Sequence, residues 1–122
     1  MIVGGLEMQV ERRKNLRARV FLPVQVISSA RKGFKPKLVL ATCRNLGIGG
    51  ALCLLNEPIG VGCLVKFIIH LPNRKVEGDA IVSRCETSVE TGWYRIALCF
   101  NDLPIESTKE IDNFVREASA KA

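Results

Sequence analysis

The sequence predicts a mainly β domain, a six-stranded antiparallel β-barrel followed by a single C-terminal α-helix. Three observations lead there. Six short apolar or β-branched runs recur with turn residues about every ten positions, the spacing of an all-β barrel or sandwich. No helical period interrupts those runs, which excludes alternating βαβ units and a parallel sheet. After Phe100 the period changes, and Ile111, Phe114, Val115 and Ala118 follow the i, i+3, i+4, i+7 spacing of one buried helical face.

The elements follow in order. Residues 1–11 show neither period and contain Gly4-Gly5, so they are expected to form a flexible tail leading into a basic arm, Glu11-Arg12-Arg13-Lys14-Asn15-Leu16-Arg17. From Val20 the chain alternates as a strand through Leu22, Val24 and Val26, with Pro23 marking an edge or bulge position. Ser28 to Pro36 reads as a hairpin loop. A second strand runs from Leu38 to Arg44 and ends at Asn45-Leu46-Gly47-Ile48-Gly49-Gly50, read as a turn whose glycines permit positive φ and close backbone approach. Ala51 to Leu55 is the third strand. Asn56 to Gly60 turns the chain into a fourth, Cys63 to Leu71, and Pro72 to Lys75 leads to a fifth, Val76 to Cys85. Glu86 to Gly92 turns into the sixth, Trp93 to Phe100, where Trp93 is expected to pack at the barrel end. Pro104 suits the first turn of the closing helix, placed at about residues 104–119. One domain, residues 12–122, accounts for the whole chain after the tail, since 122 residues support one core and are too few for two domains of ordinary size.

Composition narrows the function. The longest apolar runs, such as Gly49 to Leu55, fall far short of the roughly 20 residues a membrane-spanning helix needs, so no membrane insertion is expected. Met1 to Leu6 has neither a preceding basic region nor an extended apolar core, so it is not read as a signal peptide, and the expected location is the cytoplasm. The five cysteines, Cys43, Cys53, Cys63, Cys85 and Cys99, include no Cys-x-x-Cys pair and read as reduced core residues. The one histidine, His70, has no companion ligand, so no metal or cofactor is expected. Glu77 and Asp79 share a strand face near a turn and read as solvated. No set of residues can be given acid, base and nucleophile roles, which argues against an enzyme.

Charge is more informative. The chain carries a net charge of +6, and from Arg12 to Asn56 there are ten Lys or Arg and no Asp or Glu. Six of the ten are arginines, four of them between Arg12 and Arg19. Guanidinium groups clustered in this way suit a phosphate-bearing partner, which they grip bidentately. A general nucleic-acid module is disfavoured because the few aromatic residues lie mostly within apolar strand patterns and offer no stacking platform.

Two motifs and the order of elements carry a resemblance to a known family. Arg13-Lys14-Asn15-Leu16-Arg17 is an Arg-x-x-x-Arg motif in a Glu-Arg-Arg context. About thirty residues on, Asn45-Leu46-Gly47-Ile48-Gly49-Gly50 is close to Asp/Asn-x-Ser-x-x-Gly and leads into a Gly-Ala-Leu run. Together with the strand Tyr94 to Phe100 and the closing helix, the chain from residue 11 to 118 resembles the PilZ domain, a split-barrel type that binds the bacterial second messenger cyclic di-GMP. The resemblance implies that Arg13 and Arg17 bond phosphate and Hoogsteen edges and stack on guanine, with Arg12 as a helper. It implies that Asn45 bonds a guanine edge and that Gly50 lets the ligand approach where a Cβ would collide. Gly47 stands where the motif has serine, so one ligand hydrogen bond is missing and Gly47→Ser is expected to tighten binding. Arg12, just ahead of the motif, points to an intercalated ligand dimer. The implied role is an adaptor in motility, biofilm formation, secretion or development. It would signal to an unidentified downstream protein as a monomer or weak homodimer. The alternative is a degenerate member that binds no nucleotide and acts only by protein contact.

Overall fold

A computed structural model describes residues 16–28 and 36–121, with the side chain of Lys121 excepted. The expected tail at residues 1–11, the loop at 29–35, and Arg12 and Arg13 lie outside the described residues. The strands are β1 (Arg17–Ser28), β2 (Lys37–Gly47), β3 (Gly50–Leu55), β4 (Leu64–His70), β5 (Lys75–Thr87) and β6 (Tyr94–Asn101), followed by helix α1 (Ile105–Lys121). They close into a barrel in the order β1-β2-β3-β6-β5-β4, with every neighbouring pair antiparallel. Closure leaves no sheet edge unpaired.

Alternation builds this barrel. Leu22, Val24 and Val26 on β1, Val39, Ala41 and Cys43 on β2, and Val65, Phe67 and Ile69 on β4 are all buried, while the residues between them face outward. Phe67 fills the centre and stacks on Phe100 with ring centroids 4.8 Å apart. Helix α1 caps the interior by burying Ile111 and Val115 against the barrel. The Pro104 carbonyl, just before the helix, accepts the Thr108 amide at 3.1 Å, so the proline precedes the first turn where its missing N–H costs nothing. Because Phe67 is 1% exposed, Phe67→Ala is expected to cost about 3–5 kcal/mol. Urea unfolding, followed through the single Trp93, would measure the loss as a lower midpoint.

Four details depart from the sequence reading. First, β1 starts at Arg17, three residues earlier than expected, so Arg17 is held in the sheet and does not belong to a free arm. Second, β2 runs through Asn45 to Gly47, leaving only Ile48 and Gly49 between the strands. Third, Gly47, Gly49 and Gly50 do not adopt positive φ; among the described residues the glycines that do are Gly62 (89°) and Gly92 (85°), in later turns. Fourth, Trp93 sits one residue before β6, within the β5–β6 turn, where its amide donates to the Glu90 carbonyl at 3.2 Å and the residue stays 38% exposed. It does not pack into the barrel end. The cysteines also divide: Cys43 and Cys53 are buried, Cys63 and Cys85 half-buried, and Cys99 exposed on the outer face. No helix among the described residues is long and apolar enough to cross a membrane.

Candidate functional site

Two irregularities bring the charged and polar candidates onto one outer face. Between β1 and β2 the register slips after Arg19, and between β2 and β3 it slips after Cys43, so that Arg44 is an extra residue. A bulge inserts one residue, bends the strand and re-aims the side chains beyond it. Its effect here is that Asn45, which strict alternation from buried Cys43 would turn inward, is only half-buried and stands across from Arg19 on one side and Leu52 on the other. Arg17, exposed on the same face of β1, pairs directly with Gly47. The structure therefore places Arg17, Asn45 and Gly47 of the two motifs side by side and adds Arg19, which pairs with Asn45.

Asn45 is the polar anchor of this cluster. Its Oδ1 is buried and has no hydrogen-bond partner among the described residues. A buried acceptor without a donor costs about 1–3 kcal/mol, so Asn45 Oδ1 calls for a donor beyond the described side chains. Its backbone is tied down: the Cys43 thiol donates to the Asn45 carbonyl at 3.3 Å, and the Phe100 amide donates to the Gly49 carbonyl at 2.9 Å, fixing the tip of the β2–β3 hairpin to β6.

The glycines of the second motif serve the protein's own backbone. A Cβ on Gly50 would lie 2.2 Å from the Leu98 carbonyl oxygen, so Gly50 is required by the approach of β6. This requirement of the barrel stands beside the expectation that its bareness serves the ligand. At Gly47 a Cβ would lie 3.0 Å from both Arg17 Cγ and the Leu16 carbonyl oxygen. That contact was absent from the expectation that serine tightens binding. A serine must displace the start of β1, so the gain from its hydroxyl is offset, and the affinity of Gly47→Ser is expected to stay within about threefold of the native value. Calorimetric titration of both proteins would show it.

Sequence reasoning also missed a shallow groove of about 270 Å³ beside Asn45, lined by Arg44, Leu52, Leu54, Glu90 and Arg95 among others. Arg44 stacks its guanidinium over the exposed Phe21 ring, 4.6 Å from the centroid. Neither Arg44 nor Arg95 forms an ion pair among the described residues, whereas Arg84 reaches Glu86 at 3.4 Å. Only the cross-strand register, which sets Arg95 opposite Leu54, joins these distant positions. With Arg17 and Arg19 they make a face rich in unneutralised cations, and β1 and β2 carry no Asp or Glu at all. Such a face attracts a polyanion.

His70 Nε2 lies 3.2 Å from Gln25 Oε1, a strand histidine satisfied by its neighbour, and Glu77 and Asp79 are exposed as expected. No cluster of metal-ligating side chains occurs among the described residues.

Comparison with known families decides the class. The sequence matches the PilZ domain over residues 11–117. The chain belongs to the PilZ family. No curated protein matches it. The barrel superposes on that of the Bacillus subtilis inhibitor of motility MotI/DgrA with a TM-score of 0.75 at 18% identity, covering 90% of this chain and 52% of MotI. It also resembles the PilZ domain of YcgR from Escherichia coli, determined with c-di-GMP (TM-score 0.69, 11% identity, 90% of this chain and 93% of that one). K. pneumonia MrkH gives a TM-score of 0.68 at 14% identity, over 88% of this chain and 48% of MrkH. The chain thus spans about half the length of MotI and MrkH and nearly all of the YcgR domain. At these identities the likeness establishes the fold, a closed six-stranded barrel with one terminal helix.

Proposed function

We propose that this PilZ domain binds cyclic di-GMP on the outer face of β1–β2–β3 and acts as an adaptor rather than an enzyme. Arg13 and Arg17 hold phosphate and the guanine Hoogsteen edge, Arg12 assists, and Asn45 accepts from a guanine N–H. Gly47 and Gly50 shape the backbone behind the ligand. The observation that carries this reading is the buried Oδ1 of Asn45, with no donor among the described residues, beside the exposed Arg17 and Arg19, which form no ion pair among those residues. A guanine edge supplies donors and a phosphodiester the negative charge, so one molecule answers both demands. The c-di-GMP in the structure of the YcgR domain supports the choice of ligand.

The domain works in the cytoplasm and passes its signal by contact with a downstream protein, in motility or biofilm control. MotI is an inhibitor of motility and MrkH a c-di-GMP-dependent transcription regulatory factor, which supports outputs of that kind. One observation favours a second reading, a degenerate domain that acts by protein contact alone: Gly47 lacks the hydroxyl of the family motif.

Titration calorimetry separates the two. Saturable binding of cyclic di-GMP at micromolar or lower concentration, not shared by GTP, is expected. No heat and no thermal stabilisation at high ligand concentration would leave the contact-only reading. Stabilisation by bound ligand follows mass action, about 2.7 kcal/mol at a hundredfold excess over the dissociation constant, so a melting curve gives an independent check.

A further inference from the structure

We propose that Cys43 and Cys53 form a redox-modification site: a dithiol that peroxide converts to a cross-strand disulfide beneath the ligand hairpin. The two residues are direct Cα partners across the antiparallel β2–β3 ladder. Both point into the core, at 0% and 1% exposure. Directly opposed residues on one face of an antiparallel pair hold their Cβ atoms about 4.5–5.5 Å apart, and a disulfide needs about 3.5–4.5 Å. Bond formation thus asks for a small inward movement of two strands that a two-residue connection already keeps together.

The two thiols are unlike. The Cys53 thiol hydrogen-bonds Cys43 and lowers its pKa, an effect reinforced by the Asn45 backbone and opposed by burial. Cys53 is pushed well above the ordinary thiol range by the same bond and by burial. The attack is written from Cys43, whose thiolate the neighbouring Cys53 S–H can stabilise, and exchanging the two roles gives the same disulfide. The Cys43 thiolate attacks one peroxide oxygen, the O–O bond breaks, and sulfenic acid and hydroxide result. The Cys53 thiol then attacks the Cys43 sulfur, the S–O bond breaks, and water leaves with the remaining protons. In sum, two thiols and one hydrogen peroxide give one disulfide and two waters. Peroxide is little larger than water and reaches the pair through local opening of the β2–β3 hairpin, because both thiols point into the core while the groove between Arg44 and Arg95 lies on the outer face. Burial keeps bulkier oxidants away from the pair.

The consequence for the ligand rests on the function proposed above. The disulfide closes a loop over residues 44–52, which holds Asn45, Gly47 and Gly50. It also consumes the S–H that donates to the Asn45 carbonyl at 3.3 Å. The bulge that aims Asn45 outward loses that support, so the oxidised protein binds cyclic di-GMP about three- to tenfold more weakly.

The test uses the native chain, treated with hydrogen peroxide, alkylated while unfolded and digested with trypsin. Cleavage after Lys37, Arg44 and Lys66 puts Cys43 in peptide 38–44 and Cys53 in peptide 45–66. The expected product is those two peptides cross-linked through Cys53, as fragmentation would show against Cys63 in the same peptide, and released by dithiothreitol. Thiols at 43 and 53 that remain alkylatable at a peroxide dose that oxidises exposed Cys99 would overturn the site. So would Cys43 found as sulfinic acid or joined to another cysteine. Calorimetry of both forms then addresses coupling, with Cys43→Ser, which removes the attacking thiol and keeps a hydroxyl donor beside the Asn45 carbonyl, as a control that peroxide should leave unaltered in affinity. A disulfide with unchanged affinity overturns the coupling and keeps the site. A disulfide in a protein that binds no cyclic di-GMP in either form overturns the proposed function and, with it, the coupling.

Discussion

Replacing Arg13 and Arg17 together by alanine is expected to abolish cyclic di-GMP binding while leaving the fold intact. A hydrogen bond to a charged group contributes about 1.5–3 kcal/mol when both partners are present. Losing two such partners removes about 3–6 kcal/mol, a fall in affinity of at least about a hundredfold. Stacking of the guanidinium on a guanine face adds to the loss. Arg17 is exposed on the outer face of β1 and makes no ion pair among the described residues, so the melting temperature should scarcely move. Calorimetry beside a thermal melt reads both quantities. An unchanged dissociation constant in a folded double variant would remove the arginine motif from the site. Arg17→Lys is a finer version: a point charge keeps the attraction but loses the bidentate fork, so its affinity should fall between the native and alanine forms.

The strands were legible because each buries one face. Val24 and Val26, or Phe67 and Ile69, announce themselves by alternation, and the helix by Ile111 and Val115 four apart. The alternation fails where the chain is irregular, and the candidate site lies there. Asn45 looked like the start of a turn because glycines follow it, but the bulge at Arg44 keeps the ladder going to Gly47. A bulge leaves no reliable sign in local sequence, since the extra residue is paid for by pairing with strands distant in the chain. Arg17 was placed on an arm for the same reason: its strand partner is Gly47, thirty residues away.

The groove was illegible for a related cause. Arg44 and Arg95 lie about fifty residues apart in the chain, and only the register that sets Leu54 against Arg95 places them on one face. Trp93 was expected to pack because strand tryptophans usually do, but backbone bonds from Ser88 to Trp93 and from Trp93 to Glu90 draw it into the turn. The pattern of charge, by contrast, was legible at once. The absence of acidic residues through β1 and β2 is a property of composition, and no register is needed to see it.

Gly50→Ala separates the two explanations of the most constrained residue in the motif. Its added methyl group would meet the Leu98 carbonyl oxygen at 2.2 Å, a distance no real Cβ tolerates, and the oxygen belongs to backbone that cannot rotate away. β3 and β6 must move apart along the pairs Gly50–Cys99 and Ala51–Leu98, disturbing a ladder that closes the barrel. Overpacking of a rigid site costs typically 1–3 kcal/mol and occasionally more, and with backbone as the obstacle a loss of about 3 kcal/mol or more is expected. For a domain of ordinary stability that is a large share of the total. Gly49→Ala is the matched control, because a Cβ there meets nothing within 4 Å and its φ is not positive. Denaturant unfolding should show a sharply lowered midpoint for Gly50→Ala and little change for Gly49→Ala. A Gly50→Ala protein of native stability that nonetheless loses cyclic di-GMP would restore the ligand as the reason for the glycine. Loss of stability in the absence of any ligand assigns it to the barrel, and any weaker binding then follows from the disturbed hairpin that carries Asn45.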